Sequence, residues 1–164
     1  MNPDEQLHFA TAQTPLGTVL VAAGDDGVRT VLMSTSAAEA ERELGDLHPG
    51  ASIRRDSELR GLAARIFDSP KVDLDMRGTA FQLKVWRKLL EIPRGETRTY
   101  TQLATEIGRP RSVRAVAHAC ASNRLGVLVP CHRVVRTDGS LAGYRWGLER
   151  KRALLAAEGA GVSR

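Results

Sequence analysis

Thr99-Tyr100-Thr101-Gln102-Leu103-Ala104-Thr105-Glu106-Ile107-Gly108 runs through Arg109-Pro110-Arg111-Ser112 into Val113-Arg114-Ala115-Val116-Ala117-His118-Ala119-Cys120-Ala121-Ser122. Thr99 followed by Gln102 is a capping-box pattern. It predicts a helix with Leu103 and Ile107 inward and Gly108 as its stop. Arg109-Pro110-Arg111 is a tight link. Ser112 is expected to cap a second helix, with Val113, Val116, Ala117 and Cys120 as its apolar stripe. Two short helices joined by a Gly-containing turn form a helix-turn-helix candidate. Arg114, Ala115, His118 and Ala121 fall off the stripe, and the small ones would let this helix approach a groove closely. Pattern alone fits an ordinary helical hairpin as well.

Charge separates those two readings. Residues 1–76 hold 7 Lys and Arg against 13 Asp and Glu, a net −6. Residues 77–164 hold 17 against 6, a net +11. A basic half joined to an acidic half points to a polyanion partner for the basic half. The chain has 164 residues, 42% of them hydrophobic, enough for a real core in one domain or two small ones. No run approaches the length of a membrane span. The polar start Met1-Asn2-Pro3-Asp4-Glu5 does not read as a signal peptide. Two cysteines, Cys120 and Cys131, are too few for a disulfide framework and lack metal-ligand spacing. The expectation is a cytoplasmic protein without a metal site.

Outward from the helix pair, residues 1–76 read as a scaffold. Leu7–Thr11, Gly17–Ala23 and Val28–Met33 are strand candidates, with turn signals at Pro15-Leu16-Gly17 and Asp25-Asp26-Gly27. Ser36 to Glu39 resembles a capping box before a helix to about Leu44. Asp56–Phe67 is expected as one amphipathic helix, and Val72–Met76 as an edge strand. Composition changes at Arg77-Gly78. Thr79-Ala80-Phe81-Gln82 is another capping box, opening a helix with Phe81, Val85, Trp86, Leu89 and Leu90 on its buried side. Thr137-Asp138-Gly139-Ser140 reads as a hairpin-type turn. Leu148 to Glu158 is a final amphipathic helix with Leu148, Leu154 and Leu155 as anchors, and Ala160–Arg164 is expected to fray.

The chemistry sits in Val129-Pro130-Cys131-His132-Arg133-Val134. A thiol attacks as its thiolate; His132 offers a base and Pro130 fixes one backbone angle. A cysteine beside a histidine is, by itself, more often a small buried side chain than a nucleophile.

The assembled motifs resemble the O6-alkylguanine-DNA alkyltransferases, the methylated-DNA–protein-cysteine methyltransferase family. The resemblance rests on Arg77 to Gln82, Gly95-Glu96-Thr97, Thr99-Tyr100, Arg114-Ala115-Val116, Asn123, Pro130 to Val134, Gly143-Tyr144 and Leu154 to Glu158. Within the family, Ser122-Asn123-Arg124 and Gly143 to Gly147 are most similar to the carboxy-terminal half of the bacterial adaptive-response protein. The resemblance implies an α/β (α+β) chain. A strand-rich, ribonuclease-H-like domain over 1–76 would precede a helical, winged helix-turn-helix DNA-binding domain over 77–164.

It also implies roles. Cys131 corresponds to the acceptor of the alkyl group, His132 to the base that takes its proton through water, and Glu158 to the carboxylate that orients the histidine. Asn123 joins the helix-turn-helix to the active-site loop, and Tyr100 assists the guanine leaving group and crowds the phosphate. Arg114 would enter the base stack in place of the extruded nucleotide, with Ala115, Ser112, Tyr100 and Arg133 at the DNA. Val134, Tyr144, Arg145 and Trp146 would form the substrate pocket, with bulky Trp146 narrowing it toward methyl. No cofactor is implied. The expected partner is duplex DNA carrying O6-alkylguanine, or O4-methylthymine, met by a monomer.

The adaptive-response protein has a zinc-binding, gene-activating region with four cysteines, which these residues do not supply, so repair without a transcription role is expected. Two other classes stay in view. A binding-only sensor of alkylated DNA would have no use for Cys131, and a helix-turn-helix transcription factor would have none for a Cys-His-Glu set.

Overall fold

A computed structural model describes residues 4–160. The starting tripeptide and the tail at 161–164, part of the stretch expected to fray, lie outside the described residues. The chain divides into two compact units: 1–76 with 124–128, and 77–123 with 129–164.

In the first unit, β1 (Gln6–Thr14), β2 (Gly17–Gly24) and β3 (Gly27–Ser34) form an antiparallel meander, with Phe9 opposite Ala22 and Val21 opposite Val31. The turn between β2 and β3 needs its glycine. Gly27 has φ +132°, and a Cβ there would stand 2.5 Å from the Asp73 carbonyl oxygen. β4 (Ser52–Arg55) adds in parallel to β1, so the order is β3-β2-β1-β4. Every residue from Thr18 to Ala22 is buried, as in a strand covered on both faces. α1 (Ala37–Leu47) packs on β2 and β3, and α2 (Arg60–Ala64) on β1 and β2. Ser36 caps α1 by accepting from Glu39 N, but the Glu39 carboxylate is taken by the Thr35 hydroxyl, so only half of the box forms.

Three expectations need correction here. The helix over Asp56–Phe67 is broken into a 3-10 turn at Ser57–Leu59, α2, and a second 3-10 turn at Ile66–Asp68. Asp56 accepts from Glu58 N and tightens the first turn, while Ser69, at φ 52°, closes the second. The edge strand at 72–76 reduces to a bridge between Val28 and Leu74. A boundary drawn only at residue 76 also misses a return of the chain. Val31 N donates to Arg124 O at 2.8 Å and Gly126 N to Val31 O at 3.3 Å, which binds 124–128 to the first unit.

The second unit holds α3 (Ala80–Leu89), β5 (Arg98–Thr99), α4 (Tyr100–Glu106), α5 (Val113–Ala121), a 3-10 turn at Cys131–Arg133, β6 (Val134–Val135) and α6 (Leu148–Ala157). Both expected capping boxes form completely, Thr79 with Gln82 and Thr99 with Gln102. Gly78 is needed beside the first: an added Cβ would lie 2.7 Å from the Trp86 ring. Trp86 Nε1 donates to Ala119 O at 2.8 Å and ties α3 to α5. β5 and β6 pair in parallel, Thr99 opposite Val135. That short ladder sets the start of α4 beside the residues that follow Cys131.

Leu90 and Leu148, expected inside, are 42% and 41% exposed. Ser112 makes no side-chain capping bond. The segment 137–140 is a turn, with Gly139 N donating to Arg136 O. No strand pair flanks it among the described residues, so the hairpin is absent there.

Candidate active site

The turn that carries Cys131 is built from its proline. Pro130 has φ −81° and ψ 62°, and Cys131 N donates across it to Val129 O at 2.8 Å. This is an inverse γ-turn, which the ring's fixed φ favours. Just before it, Leu128 N donates to Gly126 O around Val127, at φ 69°. A β-branched residue there is strained. Asn123 sits directly after the last turn of α5. Its Nδ2 donates to Val129 O at 2.8 Å and to Cys131 Sγ at 3.2 Å. One buried amide thus fixes both the turn and the sulfur. Cys131 is 5% exposed. Burial pushes its thiol pKa up, and the Asn123 bond and the charges of Lys151 and Arg145 pull it back in part.

His132 is fully buried, and its Nε2 lies 3.0 Å from Glu158 Oε2. Glu158 also receives a bidentate Arg133: Nε to Oε1 at 2.9 Å and Nη2 to Oε2 at 2.8 Å. Burial raises the carboxyl, but the bonds from His132 and Arg133 more than offset it and hold its pKa at about 2. An ionised carboxylate only accepts, so Nε2 carries the imidazole proton and Nδ1 is the bare, basic nitrogen. Nδ1 is buried without a hydrogen-bond partner. Burial lowers the imidazole pKa despite Glu158, which keeps the ring neutral and able to take a proton. The resemblance implied Cys131, His132 and Glu158 as one arrangement. Here His132 and Glu158 are joined, whereas the Cys131 sulfur meets Asn123, and no hydrogen bond links Cys131 to His132 among the described residues.

Cys131 opens on a cavity of about 870 Å³. Val113, Arg114, Ala117, His118 and Ala121 of α5 form one side; Tyr100, Arg136 and the loop Ala142 to Arg145 form the other. The four residues read as lying off the stripe of α5, Arg114, Ala115, His118 and Ala121, are all exposed. One concave face, mainly apolar with Arg114, Arg136 and Arg145 on it, therefore joins the second helix of the helix-turn-helix to the thiol. Tyr100 is half-buried at the first position of α4, and burial raises its phenol pKa, so it stays protonated and can donate. Tyr144 lines the cavity with its hydroxyl buried and unpartnered within the protein.

Several expected site residues lie elsewhere. Arg133, expected at DNA, is 6% exposed, with all three of its guanidinium nitrogens engaged, Nη1 by Ile92 O at 2.7 Å. It is a strut for Glu158, a role the basic half's net charge could not reveal. Val134 is fully buried in β6, outside the cavity lining. Trp146 does not line the cavity either. It stands behind Tyr144, ring centroids 5.3 Å apart and edge-on, with the Arg145 guanidinium over its own ring. Any narrowing it causes acts through Tyr144.

Two residues not read as part of the site belong near it: Cys120, on the cavity wall, and Lys151, fully buried on α6. Lys151 lies three and four positions before Leu154 and Leu155, both buried. A lysine on the apolar face of a helix was the available signal.

Residues 80–160 match the family described as 6-O-methylguanine DNA methyltransferase, DNA binding domain. The bifunctional transcriptional activator/DNA repair enzyme Ada of Escherichia coli is 44% identical over 160 residues. That match takes in 93% of this chain and 45% of Ada, so the chain spans less than half of that relative. The methylated-DNA–protein-cysteine methyltransferase of Mycobacterium tuberculosis H37Rv is 39% identical over 152 residues, 93% of this chain and 92% of the relative. The crystal structure of Mycobacterium tuberculosis OGT in complex with DNA aligns with a TM-score of 0.76 at 34% identity, over 93% of this chain and 92% of that one. The O6-methylguanine-DNA methyltransferase of Pyrococcus kodakaraensis aligns at 0.74 and 25% identity, over 94% and 99%. With that identity sustained along nearly the whole of the mycobacterial relative, the chain belongs to the methylated-DNA–protein-cysteine methyltransferase family.

Proposed function

We propose that this chain repairs alkylated DNA: it turns an O6-alkylguanine, chiefly O6-methylguanine, out of the duplex and moves the alkyl group irreversibly onto its own Cys131, once per molecule. The observation that carries this reading is a buried thiol, held by Asn123 and beside a neutral histidine, at the wall of a cavity whose other side is α5. The names of its relatives agree with it.

A carbon on O6 of a paired guanine is out of reach inside the stack, so the nucleotide must leave it. Arg114, exposed on α5 at the cavity, is the planar cation that would fill the gap. Ala115 and Ser112 beside it suit close contact with the backbone, and the +11 charge of residues 77–164 would supply salt-dependent, sequence-independent affinity. In the reaction, His132 Nδ1 takes the thiol proton through a water and Glu158 stabilises the imidazolium. The thiolate attacks the alkyl carbon in line, a C–S bond forms and the C–O6 bond breaks. Tyr100 stabilises the departing guanine with a hydrogen bond, and the proton that His132 took from the thiol passes through water to the guanine, so the phenol and the imidazole both end as they began. A thioether does not reverse under these conditions, so no cofactor enters and no second turnover follows. The acting species is a single chain on duplex DNA in the cytoplasm.

Intact mass after incubation with O6-methylguanine duplex is the test. A gain of about 14 Da, methyl for hydrogen, is expected on Cys131. Cys131→Ala should lose the gain and keep DNA binding. An unchanged mass with Cys131 intact would overturn the reading in favour of a sensor or a transcription factor.

A further inference from the structure

Lys151 is the largest of the fully buried side chains of the described residues, and among those residues its ammonium has no carboxylate at ion-pair distance. Its ammonium makes one hydrogen bond, to Ala142 O at 3.3 Å, and lies 6.0 Å from the centroid of the Tyr100 ring. Ala142 and Tyr100 both line the cavity on which Cys131 opens. An ammonium taken out of water with so little compensation is costly, and an apolar residue would fit the stripe of α6 beside Leu154 and Leu155 more cheaply. Cys131 on the 3-10 turn, Cys120 on α5 and the His132 ring all feel its charge.

We propose that Lys151 is the counter-charge of the Cys131 thiolate, a positioning residue that makes a buried sulfur ionisable. The inference rests on Cys131 being the acceptor. His132 takes the proton, and Lys151 keeps its own and stabilises the anion left behind. When the thiolate becomes a neutral thioether, the ammonium loses its partner. Arg145 pulls on the same thiol, but it is partly exposed, so water weakens it. The remaining groups facing the pair are Tyr100, Tyr144, Cys120, Arg136 and the His132–Glu158–Arg133 cluster. Burial lowers the Lys151 pKa to about 8, with the two thiols opposing that shift, as a cation facing nascent thiolates requires.

The reaction of DNA-free protein with iodoacetamide, followed on the Cys131 peptide by mass spectrometry across pH 6 to 10, separates this pairing from repair itself. Lys151→Met should move the inflection up by at least about one unit and slow the reaction at pH 7.5 by roughly tenfold. Lys151→Arg, which keeps the charge, should restore much of the rate. A Met variant with the wild-type profile, or an Arg variant as slow as Met, overturns the pairing. A readout on the wild-type chain guards against misfolding. The Lys151 amine, followed by NMR, should titrate lower once Cys131 carries a neutral carbamidomethyl group, and an unmoved titration also overturns the proposal. A chain that shows this dependence yet gains no methyl from DNA would refute the repair reading and leave the pairing intact.

Discussion

Arg133→Met separates a structural role from DNA contact at the residue that sequence and structure assign differently. In the wild type, Arg133 gives two bonds to Glu158, at 2.9 and 2.8 Å, and one to Ile92 O at 2.7 Å. The Glu158 side chain is 3% exposed. Methionine matches the stem and removes the charge, leaving the carboxylate with His132 as its close partner and the Ile92 carbonyl bare. Removing one member of a buried pair costs about 3–5 kcal/mol, against a total stability of about 5–15 for a domain. Urea unfolding followed by tryptophan fluorescence reads this well, because both tryptophans, Trp86 and Trp146, belong to the second unit. DNA affinity measured against salt supplies the second axis. Each phosphate contact adds about 0.9 to the slope, so a lost contact would lower it by about 1. The expected outcome is a large loss of stability with an unchanged slope. A loss below about 1 kcal/mol together with a slope reduced by about 1 would refute the strut and return Arg133 to the DNA.

Acid should act on the same cluster. Glu158 has a folded pKa of about 2, below the ordinary 4.5, so its contribution is present above 4.5 and lost as pH falls toward 2. His132 is also lowered, so the unfolded chain binds its proton first and stability declines as pH drops below 6.5. Fluorescence-monitored stability should fall from pH 7 to 3, and Glu158→Gln should flatten the part below 4.5; equal slopes in the two proteins would refute this. Trp146→Gly should remove the support behind Tyr144 and raise inactivation by O6-benzylguanine. No gain in sensitivity would show that Trp146 does not set the pocket size.

How much was legible in the sequence follows from how local each signal is. The two complete capping boxes and the exposed face of α5 depend on residues three or four apart, and they were readable directly. β4 was not, because Ser52-Ile53-Arg54-Arg55 has one apolar residue and owes its conformation to pairing with β1, more than forty positions away. The single helix over 56–67 failed because apolar spacing is blind to its two ends: the Asp56 carboxylate accepts from Glu58 N and tightens the start into a 3-10 turn, and left-handed Ser69 closes a second one. At the candidate site, the family resemblance brought Cys131, His132 and Glu158 together, and the bond between His132 and Glu158 is present. The inward turn of Arg133 could not, since a charged residue's burial depends on a partner 25 positions on.

The burial of Cys131 has a consequence for supply. A protein used up by its one proposed reaction is a reagent, and a cell's capacity is the number of unreacted copies in stock. Any stray oxidant or electrophile that reaches the sulfur first subtracts a copy. A thiol 5% exposed, and kept protonated by its burial, is slow toward such species because they react with accessible thiolate. The geometry that makes the sulfur hard to ionise at rest thereby sets its shelf life.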